Sequence, residues 1–325
     1  MILTTSFNDV VKNARVQWRT GFDEVKPVAR EMFDVRNVSE MTSEHSSFSG
    51  YGFAKRKQEG QSYTYGNIKQ GYKLNLSQTR IGLMDAITWE MRKFDKYREI
   101  DKRMRQLGRS TAKRMELDAT HQFTFGMSAS SYANMDGETV STATADTVQL
   151  FNASHTLSDG TGTYANLMTT AFNRAGLEEM ETLFTKFVDD NGNKVVVEPN
   201  TIITSDDPAI CNAVKEFAKS SLIPDEANNA TNVYQGKYQH KVLPYFTTDK
   251  DGAYSSTPKN YWMLAAVNST DAIMEISETP TFTAPSSGGN GEEFETDDWK
   301  FKSSACYDLG ILDFKWIVGS TGATS

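Results

Sequence analysis

Between Met84 and Met127 the chain has no proline, and Met84, Ile87, Met91, Phe94, Ile100, Met104, Leu107 and Met115 recur there on one helical face. The spacing predicts a single long α-helix over about 84–125, with an irregularity at Gly108, the only glycine before Gly126. At about 1.5 Å per residue such a helix spans roughly 60 Å, more than a small compact domain needs. From Arg92 to Arg114 it carries ten Lys and Arg against Asp95, Glu99 and Asp101. A run of that kind is either a solvated face laced with ion pairs or a face turned to nucleic acid or an acidic partner.

The residues before this helix look poorly covered. Phe7, Val10, Val11, Ala14 and Trp18 have helical spacing that ends at Gly21, and Val25, Val28, Met32 and Phe33 form a second amphipathic piece. Neither has an obvious local partner, so together they read as an arm that packs on the body or on a neighbour. From Ser46 to Gln78 glycines punctuate a Tyr-, Lys-, Gln- and Ser-rich stretch. In it Tyr63 and Tyr65 alternate with polar residues, as do Tyr72, Leu74 and Leu76. The period of two predicts a long hairpin. Its apolar face is thin, and an isolated two-stranded ribbon is marginally stable at best, which makes a neighbouring subunit a good candidate to cover it.

Residues 128–170 read as loops and short strands, and a helix is expected at about 171–188. Asp190-Asn191-Gly192 marks a turn, Thr201–Thr204 a buried strand, and Asp206-Asp207-Pro208 a helix start that continues through Ile210, Val214 and Phe217. Further strands are expected at Val242–Phe246, Tyr261–Val267, Ala272–Ile276, Trp299–Tyr307 and Leu312–Val318, with a loop at Ser286–Gly291.

Chemistry is hard to find. The net charge is -8 over 325 residues, which disfavours a dedicated nucleic-acid binder. Cys211 and Cys306 are too far apart in sequence to suggest a disulfide framework, and no apolar run approaches a membrane span. With no secretory signal either, the chain reads as soluble and cytoplasmic when made. His45, His121, His155 and His240 lack metal-ligand spacing and read as structural, and no nucleophile elbow is present. Gly160-Thr161-Gly162-Thr163-Tyr164-Ala165 fits the loose dinucleotide pattern but follows polar residues, so a surface loop is expected. Asp189–Asn193 has its glycine at the wrong position for a calcium loop and reads as a β-turn. No catalytic residue, cofactor or metal is expected.

Taken in order, the arm, the glycine-punctuated hairpin, the long basic helix and the mixed remainder resemble the major capsid proteins of tailed bacteriophages, which have the Hong Kong 97-type fold. Finer motifs are similar to those of Mu-like major head proteins. These are Glu59-Gly60 through Gly71-Tyr72-Lys73-Leu74-Asn75-Leu76, Leu107-Gly108 with Ala112, Asp136-Gly137, and Leu150-Phe151-Asn152-Ala153-Ser154-His155. Asp190-Asn191-Gly192 through Glu198-Pro199-Asn200-Thr201-Ile202, Asn228–Asn232 and Val242–Phe246 extend the likeness over about residues 5–318. Ser128–Val148 and Thr281–Thr296 stand out as elaborations.

The resemblance implies an α+β chain divided into an N-terminal arm (1–45), an extended hairpin or E-loop (46–81), a peripheral domain with the spine helix (82–170 and 270–310), and an axial domain (171–269 and 311–325). It implies a non-enzymatic subunit of an icosahedral shell around double-stranded DNA, assembled in the bacterial cytoplasm as hexamers and pentamers and ending in the virion. Hairpin and arm residues Trp18, Lys55, Arg56, Lys57, Gly60, Tyr63 and Tyr65 are expected at subunit contacts, and Arg98, Lys102 and Arg105 face packaged DNA nonspecifically. No helical leader precedes the arm, so a separate scaffolding protein is expected, together with a portal and room for a decoration protein. Lys55, Lys57 and Lys69 lie in the hairpin but read as ordinary solvated lysines rather than cross-linking sites. The alternatives are an encapsulin-like compartment shell, which needs a cargo-peptide groove, and an enzyme, which needs a deep pocket. A tail-tube or decoration subunit is disfavoured by the long helix.

Overall fold

The computed structural model describes residues 4–48, 50–66, 68, 70–94, 98–158, 160, 162–222, 231–285 and 297–322. Helix α1 (Thr4–Asp23) carries Ala14 and Trp18 on its buried face and runs past Gly21 rather than stopping there. The side chain of Phe7 lies outside the described residues. After α1, Ala29, Met32 and Phe33 enter the main core, and Arg30–Met32 forms a single 3-10 turn. The arm therefore packs on its own chain. Strand β1 (Asp34–Asn37) follows, and then β2 (Thr42–Phe48) pairs antiparallel with β3 (Gln70–Ser77).

That pairing revises the expected hairpin. Lys73–Leu76 pairs with Ser43–Ser46, and Tyr63 and Tyr65 belong to no strand. They lack an apolar surface to lie on, whereas Leu74 and Leu76 of β3 press on Gly310, where a Cβ would fall 2.5 Å from Leu76 Cδ2.

The single helix expected from Met84 is divided. Residues Thr79–Ile87 form β4, which pairs antiparallel with a C-terminal strand along its whole length, from Thr79 opposite Tyr307 to Ile87 opposite Trp299. A complete ladder satisfies every backbone group on that side, and this outweighs the helical spacing of Met84 and Ile87. Met91 and Phe94 fall on a short helix, α2 (Trp89–Phe94), and Asp95 lies outside the described residues. Arg98, at φ 54° in the left-handed region, then precedes α3 (Glu99–Gly126). With 28 residues α3 is about 42 Å long. It runs through Gly108 as unbroken helix, because that glycine serves a crossing. A Cβ on Gly108 would lie 2.0 Å from the carbonyl oxygen of Trp18, and one on Gly21 1.9 Å from that of Arg105, so α1 and α3 meet backbone to backbone.

Short strands β5 (Ser131–Ala133), β6 (Thr139–Ser141), β7 (His155–Thr156), β8 (Thr163–Tyr164) and β9 (Leu167–Met168) fill the expected loop-rich stretch. Helix α4 (Arg174–Lys186) starts where Asn173 Oδ1 accepts from Gly176 N at 2.7 Å. Strand β10 (Thr201–Thr204) is buried throughout, and Asp207 caps α5 (Pro208–Lys219) by accepting from Ala209 N at 2.9 Å. Strands β11 (Gln239–Val242), β12 (Trp262–Ala265), β13 (Ala272–Thr283), β14 (Trp299–Ile311) and β15 (Ile317–Ser320) complete the chain. β11 begins earlier than expected. β15 begins later, because the Asp313 carboxylate accepts from Phe314 N and Lys315 N and turns the chain. The expected loop at Ser286–Gly291, and most of the Asn228–Asn232 motif, lie outside the described residues.

Two sheets organise these elements. One is four-stranded, in the order β1-β13-β14-β4, and the other five-stranded, in the order β11-β10-β12-β15-β9. Trp18, Ile87, Met104, Leu107, Phe282 and Phe301 pack between α1, α3 and the first sheet. Leu177, Met180, Phe184, Val214, Phe217 and Trp262 join α4 and α5 to the second. The main core, including Phe123, Phe246, Met274 and Trp316, lies where the long helix meets both sheets.

Candidate functional site

The residues expected at subunit contacts separate into one that is buried and a group that is fully exposed. Trp18 is only 8% exposed. It stacks near Phe22 and Phe282 and donates Nε1–H to Ser303 Oγ at 2.9 Å. This corrects the expectation that Trp18 reaches a neighbour: its indole is core, and its one polar atom is satisfied inside the chain.

Lys55, Arg56, Lys57, Gly60, Tyr63 and Tyr65 all lie in the irregular segment 50–66 that joins β2 to β3, and all are exposed. Tyr63 is 78% and Tyr65 98% exposed, and Phe48, Tyr51 and Phe53 are exposed beside them. Gly60 has φ 78° in the turn closed by Gln61 N donating to Gln58 O, a conformation that favours glycine. Lys57 Nζ lies 4.4 Å over the Tyr63 ring, and none of Lys55, Arg56 and Lys57 forms an ion pair with a described residue. Lys69 lies outside the described residues. Aromatic rings and cations held in water on a thin stem are a surface that association would cover.

The stem is held by carboxylates that hydrophobic patterning did not reveal. Glu275, buried on β13, accepts from Ser43 Oγ and from Gln78 Nε2 at 3.1 Å, and lies 2.7 Å from His45 Nε2. Asp308 on β14 accepts from Ser77 N at 2.8 Å. The arm is fixed in the same way. Glu116, fully buried in α3, accepts from Ala29 N at 2.5 Å and pairs with Arg30 at 3.2 Å. The signal available in sequence was only a charged residue on the apolar side of a helix.

The basic run on α3 is largely neutralised. Lys102 pairs with Glu99 at 2.8 Å, Arg105 and Arg109 share Glu24 at the end of α1, and Arg103 lies 3.6 Å from Asp85. Arg114 pairs with Asp118 at 2.9 Å and Asp136 at 2.8 Å. Arg98 makes no ion pair with a described residue and sits exposed at the helix start. Lys102 and Arg105 are exposed on α3 and Arg98 just before it, and two of the three charges already have partners.

The histidines make structural contacts. His155 is buried, stacks on Phe314 with centroids 4.0 Å apart, and places Nδ1 2.7 Å from Asp146. Burial alone pushes Asp146 up, but hydrogen bonds from His155 and Thr144 outweigh it and hold the carboxyl below its usual range. His121 is pushed down to about 4 by burial and by Arg114. His240 is lowered by burial and Lys215 and bonds Thr204 at 2.9 Å. Gly160 and Gly162 lie in the turn between β7 and β8, with Thr161 outside the described residues. Asp189 Oδ1 accepts from Asn191 N and Asn193 N, which makes that segment a turn. Among the described residues no group of three His, Cys, Asp or Glu is placed to hold a metal, and no helix is long and apolar enough to cross a membrane.

A family model described as "Phage capsid protein" matches residues 72–320, from the third strand to the last. The chain belongs to the phage capsid protein family. It is a phage capsid protein, a subunit from which the shell is built, and the compartment-shell alternative is not favoured. Solved structures carry the same fold at low identity. The capsid of the cyanophage P-SCSP1u superposes with a TM-score of 0.57 at 10% identity, over 92% of this chain and 89% of that one. The mature capsid of bacteriophage PhiM1 gives a TM-score of 0.53 at 12% identity, over 91% of this chain and 87% of that one. No curated protein sequence matches the chain.

Proposed function

We propose that this capsid protein assembles as hexamers and pentamers into an icosahedral shell around double-stranded DNA, with segment 50–66 of each subunit laid on its neighbour. The observation that carries this reading is the set of exposed Phe53, Tyr63 and Tyr65 rings beside Lys55, Arg56 and Lys57, which form no ion pair with a described residue. Many weak contacts of that kind, repeated around every subunit, sum to a stable closed shell. The arm (1–45) and hairpin (46–81) act with a peripheral domain (82–170 and 270–310), supported by the four-stranded sheet and α3. An axial domain (171–269 and 311–325) is supported by the five-stranded sheet.

Packaged DNA meets Arg98, Lys102 and Arg105. Exposed ion pairs such as Lys102–Glu99 contribute only about 0–1 kcal/mol, so phosphates compete for these cations. The subunit does no catalysis, works with a separate scaffolding protein and a portal, leaves room for a decoration protein, and assembles in the bacterial cytoplasm. Within the family we read it as nearest to the Mu-like major head proteins, on the motifs around Gly71–Leu76 and Leu150–His155.

Negative-stain microscopy with light scattering on the purified chain, with and without a candidate scaffold, tests the reading. Shells, tubes, hexamers or pentamers are expected. A monomer or dimer under every condition sinks it.

A further inference from the structure

His155 is fully buried at the start of β7, and its ring stacks on Phe314 with 9° between the planes. Its Nε2 faces two oxygens, Leu150 O at 3.2 Å and Asn166 Oδ1 at 3.1 Å. The orientation of the Asn166 amide is fixed by its other bonds. Asn166 Nδ2 donates to Leu150 O at 2.8 Å and to Ile317 O at 3.2 Å, and Oδ1 accepts from Asn152 N at 2.8 Å. An amide turned the other way would lose all three. With only acceptors before it, Nε2 carries a proton.

Nδ1 faces the Asp146 carboxylate at 2.7 Å. The other carboxylate oxygen accepts from Thr144 Oγ1 and from Val148 N at 3.2 Å. An ionised carboxylate has no proton to give, so Nδ1 carries one as well. The turn that presents Asp146 is itself held at a cost, because Thr147, a β-branched residue, stands at φ 67° in the left-handed region. Among the described residues Asp146 is the only ion-pair partner of His155. Asp313 and Lys315, on either side of Phe314, pair with each other at 2.6 Å.

The cage around the ring is built from both sheets. Thr144 bridges to Ile311 at the end of β14, in the four-stranded sheet. Ile317, whose carbonyl Asn166 holds, opens β15 in the five-stranded one. We propose that His155 is a buried imidazolium whose second proton fastens the two sheets together, and that alkaline solution releases the fastening. Whichever nitrogen gives its proton to solvent base, its lone pair then meets only oxygen lone pairs. Those belong to Asp146 on one side, and to Leu150 O and Asn166 Oδ1 on the other, and a buried clash of acceptors is costly. The sign follows from the unfolded chain, whose imidazole is neutral above about pH 6.5. There the folded chain binds one proton more, so the stability from this contact is present at lower pH and falls as pH rises. The inference concerns the single chain and stands apart from the shell reading.

Solid-state 15N NMR of the full chain, carrying 15N-histidine and 13C-aspartate, tests it whether or not the chain assembles. The ring that correlates with an aspartate carboxylate is His155, since His45 bonds Glu275, His121 bonds Thr248 and His240 bonds Thr204. At about pH 8, above the range of a free imidazolium, both of its ring nitrogens are expected to bear hydrogen. A bare ring nitrogen at that pH overturns the proposal. As a second arm, urea unfolding of wild type and Asp146→Asn is followed between about pH 7.5 and 9.5. In the variant the new amide donates to a bare Nδ1, so a neutral ring fits its cage. The wild-type midpoint is expected to fall against that of the variant as pH rises. Amide exchange at Asn152 and Gly319, both bonded to Asn166, should quicken beyond its ordinary rise with pH in the wild type alone. Midpoints that stay parallel overturn the proposal, and if the variant does not fold the NMR arm decides it.

Discussion

Arg30 Nε stands 3.2 Å from Glu116 Oε2, and the pair joins the segment after the first helix to the middle of α3 inside the core. Arg30→Ala leaves a fully buried carboxylate with Ala29 N–H as its remaining donor. Removing one member of a buried pair costs about 3–5 kcal/mol, so the variant is expected to unfold at markedly lower urea. A midpoint within error of wild type in unassembled protein would show that the pair does not hold the arm.

The α1–α3 crossing gives a sharper contrast. Gly108→Ala forces a methyl into the space taken by the Trp18 carbonyl oxygen, 2.0 Å away, and neither backbone can yield without parting the helices. A loss of about 3 kcal/mol or more is expected. Gly60→Ala meets no neighbour and bears only its positive φ of 78°, so about 1–2 kcal/mol is the upper range there. Thermal melts of the two variants in parallel check the order.

Stability should also depend on pH through Asp308. Burial raises its carboxyl to about 6, although Ser77 N and Leu309 N both donate to it. Its unfolded value is about 3.9, so the folded chain binds that proton more tightly. The contribution is therefore fully present below about pH 4 and is lost as pH rises through about 6, on the order of 2 kcal/mol. Asp308→Asn removes this dependence. Urea unfolding of both proteins between about pH 4 and pH 7 should show the wild type losing ground relative to the variant as pH rises.

Tyr63→Ser with Tyr65→Ser separates folding from association. Both rings are in water, so the melting behaviour should stay within about 0.5 kcal/mol of wild type. Assembly followed by light scattering should fall sharply. Normal particles from this variant would remove these rings from the subunit contact.

Much of the local structure was legible in the chain. Asp207 before Pro208 announced the start of α5, Asp190-Asn191-Gly192 announced its turn, and Thr201–Thr204 its buried strand. Each depends on residues a few positions apart, where side-chain chemistry and backbone preference act directly. The exposed loop was misread as half of a hairpin: Tyr63 and Tyr65 alternate with polar residues as a strand does, but they have no apolar surface to lie on.

Neighbouring residues settle this local vocabulary, and no motif for chemistry is among them. Which surfaces meet is settled only when distant segments come together. Met84 and Ile87 have helical spacing, yet they lie in a strand because β14, more than two hundred residues later, completes their ladder. Trp18 looked free for a neighbour until Phe282 and Ser303 enclosed it. Glu275, His45 and Asp308 became the anchor of the hairpin only when β2, β3, β13 and β14 came together. Periodicity reports how one segment divides between core and water, whereas pairing energy belongs to two segments at once, and no single stretch of chain contains it.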